Sequence, residues 1–145
     1  MKVQDILQKK SSDVLSVSPQ QTLFEASQIL AEHNIGALLV VNEKQHLVGI
    51  LSERDIVRQM AHKNASAGLM TVGEVMTTDV VIAVPDDDLE YLSNTMTNNR
   101  IRHLPVLQDG QIVGIVSIGD VVKAQLNFYE GESHFLQNYI TGGYA

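Results

Sequence analysis

The chain contains no cysteine and no tryptophan among its 145 residues. The absence of cysteine excludes a disulfide framework, a thiol nucleophile and Cys-ligated zinc or iron–sulfur sites. Its longest uninterrupted apolar run, residues 35–41, has the length of a strand, whereas a membrane span needs about 18 residues. The amino terminus lacks the apolar core of a secretion signal, so we expect a soluble, cytoplasmic protein without membrane contacts.

Positive charge is also scarce, with 10 Lys and Arg residues against 17 Asp and Glu residues and a net charge of −7. An excess of acid argues against a nucleic-acid partner, because affinity for nucleic acids comes from many Lys and Arg contacts with phosphates. The five histidines include no i, i+4 pair beside a third ligand, so we expect no metal site. The length and the apolar fraction of 44% fit a single globular domain.

An internal repeat organises the chain. The segment HLVGILSERDIV, residues 46–57, aligns without gaps with QIVGIVSIGDVV, residues 111–122, and further matches extend upstream. Two copies of one folding unit explain this pattern. We place the first unit at residues 1–61, a polar linker at 62–71, the second unit at 72–126 and an aromatic tail at 127–145.

Each unit shows the same predicted order of helix, strand, helix, strand, strand, helix. The helices near Leu23 and Leu89 carry apolar residues at i, i+3 and i+7. A two-strand hairpin follows, and a last helix begins at Ser52 or Ser117. Strands with consecutive apolar residues indicate burial on both faces. We therefore predict an α/β (α+β) fold in which two tandem repeats pack with pseudo-two-fold symmetry.

One motif, present in both copies, suggests a ligand. It reads GILSERD at residues 49–55 and GIVSIGD at residues 114–120. The strand glycine permits a close approach, the helix start favours a phosphate, and the carboxylate can accept hydrogen bonds from ribose hydroxyls. Ser-x-x-Asp is equally a capping box that needs no ligand. The residue pattern alone leaves both interpretations open.

The doubled motif, together with IRHLPV at residues 101–106, resembles a cystathionine β-synthase (CBS) domain pair, or Bateman module, of the small stand-alone bacterial type. The first unit departs from the pattern, with Leu39 where the second has Pro105. The resemblance implies a regulatory module without catalytic activity or cofactor. It implies binding of AMP, ADP, ATP, NAD or S-adenosylmethionine in clefts between the units, sensing of energy or redox state, homodimers and an unidentified regulated protein.

The resemblance also assigns residues to the clefts. Asp55 and Asp120 would hold ribose hydroxyls, with Ser52 and Ser117 beside the phosphate or ribose. The other residues it assigns to the walls and to the base are Ser16, Val17, Ser18, Ile35, Gly36, Ala37, Ile82, Ala83, Val84, Ile101, Arg102, His103 and Pro105.

The two clefts are expected to differ. Arg54 can meet a phosphate through a charge-assisted hydrogen bond, whereas Gly119 stands at the matching position of the second copy. The second unit instead offers Arg100, Arg102 and His103, and all four arginines fall near the predicted clefts. We therefore expect two small positive sites that bind nucleotides with unequal affinity.

Two other function classes compete with a regulatory module. An enzyme is disfavoured because the chain shows no nucleophile elbow and no GxxxxGK[ST] phosphate loop. A ligand-independent dimeric scaffold, in which the motif merely caps helices, stays open. The tail holds five of the seven aromatic residues, and we expect it to pack on its own module or in a dimer.

Overall fold

The computed structural model describes residues 1–10 and 14–128. The first elements are α1 (Val3–Lys9), β1 (Ser16–Val17), α2 (Leu23–His33), β2 (Ala37–Val41), β3 (Leu47–Ser52) and α3 (Glu53–Lys63). A 3₁₀ helix (Asn64–Leu69), α4 (Val72–Val75), α5 (Leu89–Asn99), β4 (His103–Gln108), β5 (Gln111–Ser117) and α6 (Ile118–Phe128) follow. None of the helices in these ranges has the length and apolar character needed to cross a bilayer. The tail beyond residue 128 lies outside the described residues.

Two small sheets form the centre of the fold. In the first sheet β2 lies between β1, to which it is parallel, and β3, to which it is antiparallel. The second sheet is the antiparallel hairpin of β4 and β5. All five residues of β2 are buried, which confirms the burial expected from its consecutive apolar residues. The α+β fold with two tandem repeats is thus confirmed.

The second repeat lacks the first strand that its sequence predicts. Ala83 forms only an isolated parallel bridge with Val106. In the first repeat the Leu39 N–H donates a hydrogen bond to the Leu15 carbonyl at 3.4 Å. Pro105 stands at the position equivalent to Leu39 and has no N–H, so the second repeat cannot form that bond.

The segment predicted to be a polar linker is mostly helical. Helix α3 continues to Lys63, and Asn64 ends it with a left-handed φ of 55°. The 3₁₀ helix that follows packs against α2 and α3 and buries Ala67. Small side chains make this tight packing feasible. The limits of the two units and their linker stay predictions.

Main-chain hydrogen bonds join the opening segment of the first repeat to the second repeat. The Val3 N–H donates to the Asp87 carbonyl at 2.9 Å, and the Leu89 N–H donates to the Met1 carbonyl at 3.0 Å. An equivalent pair of hydrogen bonds joins the opening segment of the second repeat to the first repeat. Val72 N–H donates to the Gln21 carbonyl at 2.8 Å, and Leu23 N–H donates to the Met70 carbonyl at 2.8 Å. The exchange is reciprocal, as the predicted pseudo-two-fold symmetry requires.

The hydrophobic cores follow the same exchange. Val3 and Ile6 of α1 are buried in the core of the second repeat, beside Leu92 and Leu104. Val72 of α4 is buried in the core of the first repeat. Each repeat therefore completes the core of the other. The sequence repeat alone, taken as two separate folding units, does not predict this exchange.

The strand glycines of the motif lie where these exchanged helices cross the sheets. A Cβ at Gly49 would stand 2.6 Å from Met76 Sδ and 2.9 Å from the Thr77 carbonyl oxygen. A Cβ at Gly114 would stand 2.6 Å from Leu7 Cδ2. The close approach predicted at these glycines is real, and the approaching group belongs to the other repeat's opening helix.

We predict that Gly49→Ala lowers the free energy of unfolding by about 1–3 kcal/mol, because the new methyl group meets a main-chain oxygen that cannot move freely. The matched control is Gly119→Ala in α6, where the nearest atom, Ser117 Oγ, lies at 3.6 Å. This second variant gains about 0.5–1 kcal/mol from helix propensity. Urea denaturation measures both, and equal stability of the two variants would contradict the crossing geometry.

Candidate ligand-binding clefts

A cleft of about 260 Å³ lies between the two repeats, near the lower end of the size range of ligand pockets. The first repeat contributes the starts of β2 and α3, and the second contributes residues 77–81 and the α5–β4 loop. The lining residues are Gly36, Ala37, Ile50, Ser52, Glu53, Arg54, Asp55, Arg58, Thr77, Asp79, Val80, Val81, Arg100, Ile101, Arg102 and His103. We call this the arginine cleft.

The Ser-x-x-Asp segments form capping boxes in both repeats. The Ser52 N–H donates to Asp55 Oδ2 at 2.9 Å, and the Asp55 N–H donates to Ser52 Oγ at 3.3 Å. Ser117 and Asp120 form the same pair, at 2.8 and 3.2 Å. Among the described residues no hydrogen bond reaches Asp55 Oδ1. The carboxylate can therefore cap α3 with one oxygen and offer the other to a ligand.

All four arginines of the chain line the arginine cleft. Arg54 and Arg58 lie one turn apart on the same face of α3. Arg100 and Arg102 come from the loop between α5 and β4. Three carboxylates, from Glu53, Asp55 and Asp79, face them, which leaves an excess of one positive charge. The four arginines thus lie in one cleft rather than two, because the second repeat's arginines face the first repeat's motif.

Arg100 adopts an unfavourable backbone conformation. It ends α5 with a φ of 54°, in the left-handed region. The equivalent residue at the end of α2 is Asn34, with a φ of 53°. Asn tolerates this region, whereas Arg pays about 1 kcal/mol for it. Backbone strain of this kind is concentrated at functional sites, and here it accompanies a guanidinium group that lines the cleft.

His103 lies at the boundary between the two halves of the site. Its Cε1 atom stands 3.1 Å from the position that a Cβ of Gly36 would take, so the ring lies against that glycine. Burial lowers the pKa of His103 below 6.5, and the nearby Lys10 adds to the effect, while Glu53 and Asp120 oppose it. The lowered pKa favours the neutral imidazole, which has one hydrogen-bond donor and one acceptor.

The structure brings eight of the sequence-predicted site residues together. They are Gly36, Ala37, Ser52, Arg54, Asp55, Ile101, Arg102 and His103. Arg58 and Arg100, which the sequence placed near the predicted clefts, line the arginine cleft as well, whereas the contribution of residues 77–81 was not predicted. Nothing local marks residues 77–81, because the crossing at Gly49 brings them to the cleft.

The predicted walls from the first strands do not line the cleft. Val17 and Ala83 are 2% and 1% exposed and belong to the two cores, and Pro105 is buried in β4. Ile35 packs against the core of the first repeat. The main chain at residues 77–81 forms this wall instead, since α4 ends over β3. The predicted positions that lie elsewhere, outside the arginine cleft, are Ser16, Ser18, Ile82, Val84 and Ser117.

The second motif faces a different environment. A pocket of about 280 Å³ lies between α1 and α6, and we call it the lysine pocket. Its lining residues are Met1, Asp5, Ile6, Lys9, Lys10, Asp120, Lys123, Ala124 and Asn127. Burial alone would raise the pKa of Asp120, but hydrogen bonds from Lys10 and Ser117 outweigh burial and lower it. Lys10 Nζ lies 2.6 Å from Asp120 Oδ2.

We predict that Arg100→Asn raises the free energy of unfolding by about 1 kcal/mol, because Asn relieves the strained left-handed conformation. The reverse exchange at the equivalent position, Asn34→Arg, is the matched control and lowers stability by a similar amount. Thermal and urea denaturation of the two variants measure the difference. A destabilised Arg100→Asn variant would show that Arg100 serves the fold rather than the cleft.

Comparison with known proteins agrees with this architecture. The model of the CBS domain matches residues 3–62 and 72–127. The CBS domain-containing protein CBSX3, mitochondrial, of Arabidopsis thaliana is 35% identical over 150 residues, which cover 98% of this chain and 73% of that protein. The crystal structure of the CBS-domain protein ATU1752 from Agrobacterium tumefaciens is 39% identical with a TM-score of 0.83, and covers 86% of this chain and 92% of that one.

A further solved structure contains ligands. The CBS domain pair of protein MJ0100, in complex with methylthioadenosine and S-adenosyl-L-methionine, is 29% identical with a TM-score of 0.71. The match covers 86% of this chain and 94% of that one. Both repeats match the family model, and the fold, the repeat order and the doubled motif agree with it. The chain belongs to the CBS-domain family, and its two repeats form one CBS domain pair.

Proposed function

We propose that the protein is a non-catalytic regulatory module that binds a phosphorylated adenine nucleotide in the arginine cleft. The proposal rests on one observation. The Asp55 carboxylate, at the start of α3, lines the same cleft as four arginine side chains from both repeats. A helix start with cationic side chains suits a phosphate, and a fixed carboxylate suits a ribose. The MJ0100 domain pair, which binds two adenosine compounds, supports an adenosine ligand.

The charge of the cleft narrows the class of ligand. Guanidinium groups form bidentate, charge-assisted hydrogen bonds with phosphates. The same groups repel a sulfonium cation, so the excess positive charge favours AMP, ADP, ATP or NAD over S-adenosylmethionine. In this arrangement Asp55 holds the ribose hydroxyls, and Arg54 and Arg58 meet the phosphates. Gly36, Ala37 and Ile101 flank the base.

A ligand in this cleft contacts both repeats, which gives it a route to regulation. It can shift the arrangement of the repeats, or of two subunits, by the difference in its affinity for the alternative states. A protein of this kind reports the level of a nucleotide, as an energy or redox sensor, to a partner protein that it regulates.

Exposed apolar side chains on the last helix of each repeat support a homodimer. Val57 and Met60 on α3 are 63% and 56% exposed, and Val122 and Leu126 on α6 are 47% and 54% exposed. Val57 and Val122 occupy equivalent positions of the two repeats. Exposed apolar patches of this kind mark interaction surfaces. We propose that these two helices meet a second copy of the chain.

A ligand-independent scaffold is the second candidate. The observation in its favour is that both Ser-x-x-Asp segments are complete capping boxes without a ligand. A ligand-independent scaffold does not explain why four arginines line one cleft or why Arg100 adopts a strained backbone conformation. Mass spectrometry of small molecules released from the denatured, purified protein separates the candidates, because only the nucleotide-binding module retains an adenine compound.

We predict that Asp55→Asn weakens ATP binding at the arginine cleft at least about ten-fold, a loss of about 1.4 kcal/mol. Asn can still accept the Ser52 hydrogen bond, so the helix cap survives while the charge-assisted contacts with the ribose are lost. Isothermal titration calorimetry measures the affinity. Asp109→Asn, in the exposed β4–β5 turn, is the control with the same charge change.

The phosphate assignment is tested in the same titrations. Arg58→Gln weakens ATP binding strongly and adenosine binding little, since adenosine carries no phosphate. Lys44→Gln, on the exposed β2–β3 turn, is its control. Unchanged ATP affinity in both Asp55→Asn and Arg58→Gln would sink the proposed function.

We predict that Val122→Glu converts the homodimer into a monomer, because it places a charge in the centre of the apolar contact. The control is Val113→Glu on β5, a strand outside the two helices, where the wild-type side chain is 39% exposed. Light scattering coupled to size-exclusion chromatography gives the mass of each variant. A dimeric Val122→Glu variant would place the interface elsewhere.

A further inference from the structure

In the second repeat the side chain of Lys10 takes the place that a main-chain amide has in the first repeat. In the first repeat the Thr77 N–H donates a hydrogen bond to the Ile50 carbonyl at 3.0 Å. Ile115 is the equivalent of Ile50, and its carbonyl accepts a hydrogen bond from Lys10 Nζ at 2.7 Å. A side-chain ammonium thus takes the place of a main-chain amide, and it brings a full positive charge.

The same ammonium also contacts the carboxylate of the second motif. Lys10 Nζ lies 2.6 Å from Asp120 Oδ2, and the two side chains are only 32% and 23% exposed. Asp120 is the equivalent of Asp55, and Oδ1 of neither residue accepts a hydrogen bond from the described residues. The two carboxylates differ in the ammonium that Asp120 Oδ2 also holds, which neutralises its charge and makes it a weaker acceptor for ribose hydroxyls.

We propose that Lys10 is a specificity-determining residue that acts as an internal occupant of the second cleft. A ribose bonds the Asp120 carboxylate at full strength only when Lys10 leaves it, so the arginine cleft fills first and the second cleft, the lysine pocket, fills at higher nucleotide concentration. The inference rests on the proposed function of the arginine cleft and deepens it, since it assigns different affinities to the two sites.

Displacement of Lys10 also selects the ligand. An ammonium that leaves Asp120 needs a new anionic partner, because a half-buried charge without one is costly. A phosphate supplies that partner, and Lys123 lines the same pocket and adds to its attraction. Adenosine has no phosphate and cannot compensate. The second cleft is therefore predicted to discriminate against uncharged nucleosides more strongly than the arginine cleft does.

The test measures the second cleft in full-length protein in which Asp55→Asn has weakened the first. Adenosine and AMP are titrated calorimetrically into this parent and into the parent with Lys10→Met or Lys9→Met. Lys9 carries the same charge and lines the same pocket but forms no hydrogen bond with the described residues, so it is the matched control. We expect Lys10→Met to raise adenosine affinity about ten-fold, the equivalent of one charged hydrogen bond.

The expected gain is smaller for AMP, because Lys10 then also loses its contact with the phosphate. Lys9→Met leaves adenosine affinity within about two-fold of the parent, as a surface charge change does. Lys10→Gln is a second variant that keeps a polar side chain without the charge, and it gives the same direction of change as Lys10→Met. Equal adenosine affinities of the Lys10 and Lys9 variants overturn the inference alone.

A measurement on the ligand-free protein distinguishes a failure of the Lys10 inference from a failure of the proposed function. Carboxyl NMR of the free protein follows the titration of Asp120, whose pKa rises in Lys10→Met and stays low in Lys9→Met. Identical titration in both variants shows that Lys10 does not hold Asp120 and overturns the inference. If no adenine compound binds the wild-type protein or any variant, the proposed function fails and the inference fails with it.

Discussion

The reciprocal main-chain hydrogen bonds between the opening segment of each repeat and the other repeat are the constraint on which the structure depends. They hold α1 in the core of the second repeat and α4 in the core of the first. Neither repeat has a complete core without this exchange. The exchange also creates the arginine cleft, because it carries residues 77–81 over Gly49 to face the first repeat's motif. The stability of the two cores and the geometry of the proposed binding cleft therefore share one structural origin.

The pseudo-symmetry of the backbone contrasts with the asymmetry of the side chains. Both motifs form the same capping box, but four arginines line the cleft of one carboxylate and Lys10 contacts the other. Few residues produce this difference. Arg100 stands at the end of α5, where the equivalent residue at the end of α2 is Asn34. Lys10 contributes a side-chain ammonium where Thr77 contributes a main-chain amide. The two motifs thus have different surroundings, although the helices and hairpins of the two repeats follow the same order.

Local sequence patterns predicted the elements of the fold well, because apolar periodicity, capping boxes and hairpin turns act over a few residues. They failed at Pro105, where the missing main-chain N–H removes a hydrogen bond to the predicted first strand. They also failed where contacts cross between the repeats. No local signal shows that Arg100 and Arg54 share a cleft, since the reciprocal exchange brings them together. The binding roles of the individual residues, the role of the tail and a cytoplasmic location stay predictions.

A crystal structure of the protein grown with ATP tests the central claim most directly, because it shows where the nucleotide lies. The account predicts a nucleotide in the arginine cleft, with its ribose hydroxyls on Asp55 and its phosphates within hydrogen-bond distance of Arg54 or Arg58. A nucleotide bound elsewhere on the chain, with the arginine cleft filled only by water, would contradict it.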